Sequence, residues 1–239
     1  MNKNTYILVH GAWHGAWAWK YVTPLLEAQG HHVLAIDLPS HGADSTPVVT
    51  IGLHDYVQKI IEAVGTQSRK VILVGHSMGG IPISQAAEAL GAEKVAKLVF
   101  LDAFMPQNGE SVQSLAALAL PANPPFEAAF RIEDMGQTVA LNPTLLQNSF
   151  YHDCSQTDID FALANLTKEP LAVLGTPVQL SDGIYGKIPK YYILCTQSRD
   201  SDKTPLTTRV ATEKIYKLDS SHSPFFSMPD QLAAILLEL

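Results

Sequence analysis

Short apolar runs recur along the chain and alternate with stretches of helical period. Tyr6–Val9, Val33–Asp37, Val71–Val74, Leu98–Asp102, Tyr191–Cys195 and Lys214–Leu218 read as strands, because each is rich in branched or aromatic residues and too short for a buried helix. Between them, Trp17–Gln29, Leu53–Val64, Met78–Leu90 and Pro229–Leu237 repeat their apolar positions at helical spacing. This alternation predicts an α/β fold, a mostly parallel six-stranded sheet with helices on both faces. The order breaks between residues 104 and 186. That stretch holds Pro121, Pro124 and Pro125, the run Leu115–Leu120, and the aromatics Phe126, Phe130, Phe150, Tyr151 and Phe161. It is too apolar for a solvated linker and is expected to fold as a helical cap inserted over the strand ends. The expected division is a core of residues 1–103 and 187–239 with a cap of residues 104–186.

Composition narrows the class. A chain of 239 residues suits one domain with a full core. A net charge of −7 gives no electrostatic footprint for nucleic acid or an anionic membrane. No apolar run is long enough to span a bilayer. The first residues lead straight into a strand, without the basic-then-apolar layout of a signal peptide, so a cytoplasmic setting is expected. Cys154 and Cys195 lack metal-ligand spacing and read as reduced thiols. No metal and no other cofactor is called for.

The candidate chemistry starts at Gly75-His76-Ser77-Met78-Gly79-Gly80, directly after the strand Val71–Val74. A serine hydroxyl needs sharp presentation and a base to act as a nucleophile. A G-x-S-x-G turn from strand to helix supplies the presentation, with glycines where side chains would collide. The helix start beyond Ser77 also offers free N–H groups to a developing oxyanion. Two further segments fit. Tyr6–Val9 runs into His10-Gly11-Ala12, and Leu218-Asp219-Ser220-Ser221-His222 follows the last strand. The order serine, carboxylate, histidine is that of α/β-hydrolases.

The chain resembles the plant methylesterase and hydroxynitrile-lyase group of α/β-hydrolases, with its bacterial esterase relatives. The resemblance rests on His10-Gly11-Ala12-Trp13-His14-Gly15-Ala16-Trp17 with Trp19, Leu25–Ala28 before Gly30, Ala35–Leu38, Gly75–Gly80, Val99–Pro106 and Ser221–Pro224. It covers nearly the whole chain, and the first segment is far more specific to this group than the elbow. It implies a compact six-stranded core and a mobile cap over an apolar pocket. The activity implied is that of a serine carboxylesterase, which cleaves small to medium apolar esters through an acyl-enzyme. Ser77 is then the nucleophile and His222 the base, and the backbone N–H groups of Ala12 and Met78 form the oxyanion hole. His76 points away from the hydroxyl and reads as structural, while His10 and His14 shape the loop that bears Ala12. His31, His32, His41, His54 and His152 read as structural. Trp13, Phe104 and Met105 are expected to line the substrate site, with Phe126, Phe130, Phe150 and Phe225 as further apolar candidates. The expected partner is a small-molecule ester, and the one macromolecular partner allowed is a second copy of the chain in a homodimer.

The pattern departs from the group at the acid. The usual slot, a few residues after Tyr192–Cys195, holds Ser198, which carries no charge to stabilise an imidazolium. Asp102, at the end of the preceding strand, is the favoured replacement, and Asp200 is the alternative. Other chemistries share the fold. The lyases of this group place a lysine after the histidine and a threonine in the oxyanion strand, where this chain has Ser223 and Gly11. Cofactor-free dioxygenases take their acid from the strand that here ends in Asp102, and hormone receptors use the pocket without turnover.

Overall fold

A computed structural model describes residues 3–121 and 126–239, without the side chains of Phe126 and Glu127. Pro124, Pro125 and the Phe126 side chain therefore lie outside the described residues.

The strands form where the apolar runs predict them. In the first half they are β1 (Thr5–Val9), β2 (His32–Ile36), β3 (Val71–His76) and β4 (Val95–Leu101). Helices α1 (Val22–Ala28), α2 (Leu53–Gly65) and α3 (Gly80–Leu90) lie between them. The expected helix from Trp17 to Gln29 is divided. A 3-10 turn covers Ala16–Trp19, and α1 starts only at Val22. Pro24 explains the break, because it has no N–H for a bond to the preceding turn and is tolerated only at a helix start. Pro82 acts alike: a 3-10 turn over Ser77–Gly79 precedes α3.

Residues 104–186 hold more than helices. Helix α4 (Val112–Ala116) leads to β5 (Leu120–Pro121). Strands β6 (Phe130–Glu133), β7 (Thr138–Leu141) and β8 (Glu169–Pro170) form a three-stranded antiparallel sheet of their own. Between β7 and β8 run α5 (Pro143–Phe150) and α6 (Gln156–Asn165), and α7 (Leu171–Gly175) follows. An expectation of helices alone for this stretch is incomplete. The strands escape a search for periodicity because they are two to four residues long, below one clear repeat of alternation.

The chain then adds β9 (Lys190–Cys195), β10 (Ser201–Asp202) and β11 (Lys214–Leu218), and ends in α8 (Pro224–Ser227) and α9 (Pro229–Glu238). The main sheet has the order β11-β9-β4-β3-β1-β2, and every pair in it is parallel. Helix α2 packs on α3, and α1 packs on α9, one pair on each face. Strands β1 and β3 are buried along their whole length, as a doubly covered parallel sheet requires. A parallel sheet also delivers all its carboxyl ends to one edge, where such folds carry their sites. His76 lies opposite Leu101, and Leu101 opposite Ile193. Ser77 and Asp102 are thus the first residues past one register row. Among the described residues, no helix is long and apolar enough to cross a membrane.

Candidate active site

Four strand ends and one late loop meet at this edge. Ser77 follows β3 with a φ of +53°, a left-handed conformation that costs a non-glycine residue energy and is held by its surroundings. The turn leaves no space for side chains on either flank. A Cβ at Gly75 would lie 2.6 Å from the Gly79 carbonyl oxygen, and one at Gly79 would lie 2.7 Å from that of His10. The elbow is also tied to β4, since the Phe104 amide donates to the Ser77 carbonyl at 3.0 Å.

The loop after β1 is fixed by two buried histidines. His10 Nδ1 donates to the Gly11 carbonyl at 2.8 Å, and its Nε2 accepts from the Leu38 amide at 3.1 Å. His14 Nδ1 donates to the Ala12 carbonyl at 2.8 Å, and its Nε2 accepts from the Tyr151 hydroxyl at 2.7 Å. Burial pushes the His10 imidazole well below its ordinary value and brings His14 down to about 4. Both rings are neutral at pH 7, which these bonds require. This is the loop-shaping expected of them.

The same loop is anchored from residues 104–186. Trp13, with a φ of +65°, donates its amide to Glu169 Oε2 at 3.0 Å and its indole N–H to the Val139 carbonyl at 2.9 Å. Its own carbonyl accepts from the Thr167 amide at 3.0 Å. Glu169 is fully buried, takes the Tyr56 hydroxyl at 3.0 Å, and pairs with His41 Nε2 at 3.0 Å. Burial pulls the His41 imidazole down, but the Glu169 charge outweighs it and leaves His41 above its ordinary value. His41 is structural, as expected, but as half of a buried ion pair. Glu169 gives no signal in the sequence, since it directly follows Thr167 and Lys168 and becomes buried only through the fold.

His222 sits in the loop after β11, fully buried. His76, the residue before Ser77, donates Nε2–H to the His222 carbonyl at 2.9 Å, and the two rings lie 4.5 Å apart. Burial holds His76 well below its ordinary value, hence neutral. Its role is to hold the His222 loop against the elbow.

Two carboxylates face His222 Nδ1. Asp102 Oδ2 is at 2.7 Å and Asp200 Oδ1 at 3.4 Å. Asp102, fully buried with a φ of +42°, also accepts from the Ser198 hydroxyl at 2.6 Å and the Lys203 ammonium at 3.3 Å. Its other oxygen takes the Cys195 amide at 3.3 Å. Burial alone would raise its pKa; Lys203, His222 and Ser198 together hold it far below the usual carboxylate range. Asp200 Oδ2 lies 2.7 Å from Lys203 Nζ, while its Oδ1 makes no hydrogen bond. Asp102, Asp200 and His222 are close enough to hold a cation, but the Lys203 ammonium already supplies that charge. Ser198, in the slot of the group's usual acid, bonds to Asp102. Lys203 gave no sign of burial in a polar loop.

The apolar candidates separate into two sets. Trp13 lies 5.8 Å from the Phe130 ring and 6.3 Å from Phe150, which itself lies 5.1 Å from His222. Phe104 follows Asp102 by two residues and is nearly buried. Met105 and Phe225 are wholly buried, and the Phe225 ring packs 5.0 Å from His76. The amides of Ala12 and Met78 belong to the loop after β1 and to the turn after Ser77, the two segments that converge here. A Cβ at Gly11 would stand 2.9 Å from the Ser77 Cβ.

Known proteins carry the same architecture. The sequence model of the alpha/beta hydrolase family matches residues 6–235. Methylesterase 7 of Arabidopsis thaliana is 32% identical over 252 residues, covering 100% of this chain and 96% of that protein. Salicylic acid-binding protein 2 of Nicotiana tabacum is 32% identical, covering 98% and 96%. Among solved structures, a pyrethroid hydrolase from Sphingobium faniae JZ-2 superposes with a TM-score of 0.88 at 25% identity, over 99% of this chain and 97% of that one. A methylesterase from Arabidopsis gives 0.86 at 25% identity, over 98% of each chain. With methylesterase relatives aligned along its whole length, the chain belongs to the alpha/beta hydrolase family, in its methylesterase group.

Proposed function

We propose that this protein is a serine carboxylesterase that cleaves small to medium apolar esters through an acyl-enzyme, with Ser77, His222 and Asp102 as its triad. The observation that carries the reading is the 2.7 Å contact between His222 Nδ1 and Asp102 Oδ2. An Nδ1–H donated to this carboxylate would leave Nε2 as the acceptor that a serine nucleophile needs. Ser77 Oγ attacks the ester carbonyl carbon while His222 takes its proton. The carbonyl oxygen becomes an oxyanion facing the Ala12 and Met78 amides. The tetrahedral intermediate then expels the alcohol, which leaves with the proton from His222. Water, activated by the same imidazole, attacks the acyl-enzyme and frees the acid and Ser77. Asp102 stabilises the imidazolium in both halves and is not itself protonated.

Trp13, Phe104 and Met105 form the apolar side of the substrate site in this reading, with residues 104–186 as a cap. The methylesterase names of the relatives and the aromatic wall beside His222 support an apolar ester. A cytoplasmic setting accords with two cysteines that remain thiols. The lyase alternative loses both of its special groups. Position 223 is serine, and Gly11 leaves no room for a threonine beside Ser77. The protein is expected to release no cyanide from mandelonitrile above background, and enantioselective cleavage would contradict this.

The test is a series of p-nitrophenyl esters of graded acyl length. Turnover by the wild type, abolished in a folded Ser77→Ala variant, supports the reading. A wild type inactive across the series would favour a ligand-binding receptor on this fold.

A further inference from the structure

A triad needs one carboxylate, yet two face His222, and a lysine lies behind them with no exposure of its side chain. Taking an ammonium out of water costs several kcal/mol unless paired charges and hydrogen bonds repay it. Lys203 sits 2.7 Å from Asp200 and 3.3 Å from Asp102, so its charge is shared by both acids. The loop that carries it is held in turn by β10, whose Ser201 and Asp202 pair with Pro121 and Leu120 of β5.

Charge balance around His222 follows from its neighbours on every side. His76 at the end of β3 and His14 after β1 are held neutral by burial. Cys195 and Tyr192 on β9, and Cys154 near the Ser223 carbonyl, are pushed up by burial and stay uncharged. Asp153 is anionic but binds behind the loop, at the Ser221 amide. The charges in the His222 pocket itself are Asp102, Asp200 and Lys203. Without the lysine, the imidazole would face two negative charges in a dry site.

We propose that Lys203 is a positioning residue for the esterase reaction, which cancels Asp200 so that His222 faces the net charge of a single acid. This rests on the serine-esterase reading above. A second uncompensated carboxylate would stabilise the imidazolium before attack, and would so remove the neutral base at the pH where it is needed. The Asp200–Lys203 pair thus fills the space beside Asp102 without adding net charge, and Asp102 alone supplies the charge whose usual slot is occupied by Ser198.

The pH dependence of kcat/KM separates this role from a purely structural one, because the two members of the pair carry opposite signs. Lys203→Met is expected to move the acid limb up by about one pH unit, as expected for a buried charge a few ångströms away. Asp200→Asn, which leaves the ammonium uncancelled, is expected to move it down by about half a unit. The double variant is expected to return close to the wild type. A limb that stays within about 0.3 unit, or moves the other way, in either single variant overturns the proposal. If Lys203→Met does not fold, Lys203→Gln is read in its place, with the same upward shift expected and an unmoved limb overturning the proposal. The ring C–H resonance of His222 is titrated by NMR in the same proteins. It reads the same shifts without turnover, so a wild type that lacks esterase activity would sink the esterase reading while leaving the role of Lys203 on trial.

Discussion

At the scale of residues, distance and company separate two acids that reach the same nitrogen. Asp102 makes a short bond to His222 and is itself bound by Ser198, Lys203 and the Cys195 amide, whereas Asp200 stands at 3.4 Å and is paired with Lys203. An asparagine at position 102 would let its amide hydrogens favour the wrong imidazole tautomer. Asp102→Asn is therefore expected to lower kcat by about two orders of magnitude or more, and Asp200→Asn by less than about tenfold at the pH optimum. Steady-state kinetics on one p-nitrophenyl ester checks both, and the reverse order would make Asp200 the acid. Ser77 and His222 were legible in sequence because each lies in a local motif with its own spacing. Asp102 was legible as the last position of a strand. Lys203 and the bond from Ser198 were not, since both depend on how a polar loop folds back over a strand end.

At the scale of elements, the loop after β1 and strand β8 act as one unit. Glu169 joins the Trp13 amide, Tyr56 and His41, so the segment that bears Ala12 is braced by a residue far along the chain. Glu169→Gln removes the charge that balances His41 in a buried site. It is expected to destabilise the protein by about 3 kcal/mol and to lower kcat about tenfold with little change in KM, through a looser oxyanion loop. Urea unfolding and kinetics on the folded protein check this; unchanged stability would show that the pair carries no net load. Five of the six main strands were readable because each holds an apolar run flanked by polar or small residues; the edge strand β11, Lys-Ile-Tyr-Lys-Leu, is more polar. Helix starts were shifted by Pro24 and Pro82, whose effect is on the preceding turn and leaves the apolar period intact. The small sheet β6-β7-β8 had too few residues to show a period. Its tight turn at Asp134–Gly136, with three positive φ values, has only one glycine to announce it.

At the scale of the whole molecule, five histidines are buried: three held neutral, His41 beside Glu169 and His222 beside Asp102. His10, His14 and His76 have lowered pKa values, His14 to about 4. In the unfolded chain each takes a proton below about pH 6.5, so their stability is present above that pH and is lost as pH falls towards the folded values. For His14 alone the loss amounts to about 3 kcal/mol. His41, with its raised pKa, works in the opposite sense: its contribution is present below about pH 6.5 and lost as pH rises through the folded value. The three outweigh the one, and the urea midpoint is expected to fall between pH 7 and pH 4.5. A flat midpoint would mean that these rings are solvated. Catalysis depends on whether this assembly makes Ser77 a nucleophile. Intact-protein mass spectrometry after treatment with a serine-directed fluorophosphonate tests that most directly. A single adduct on the Ser77 peptide, absent in Ser77→Ala and slowed in Asp102→Asn, is the predicted result. A wild type that stays unlabelled, or is labelled at another serine, would contradict it.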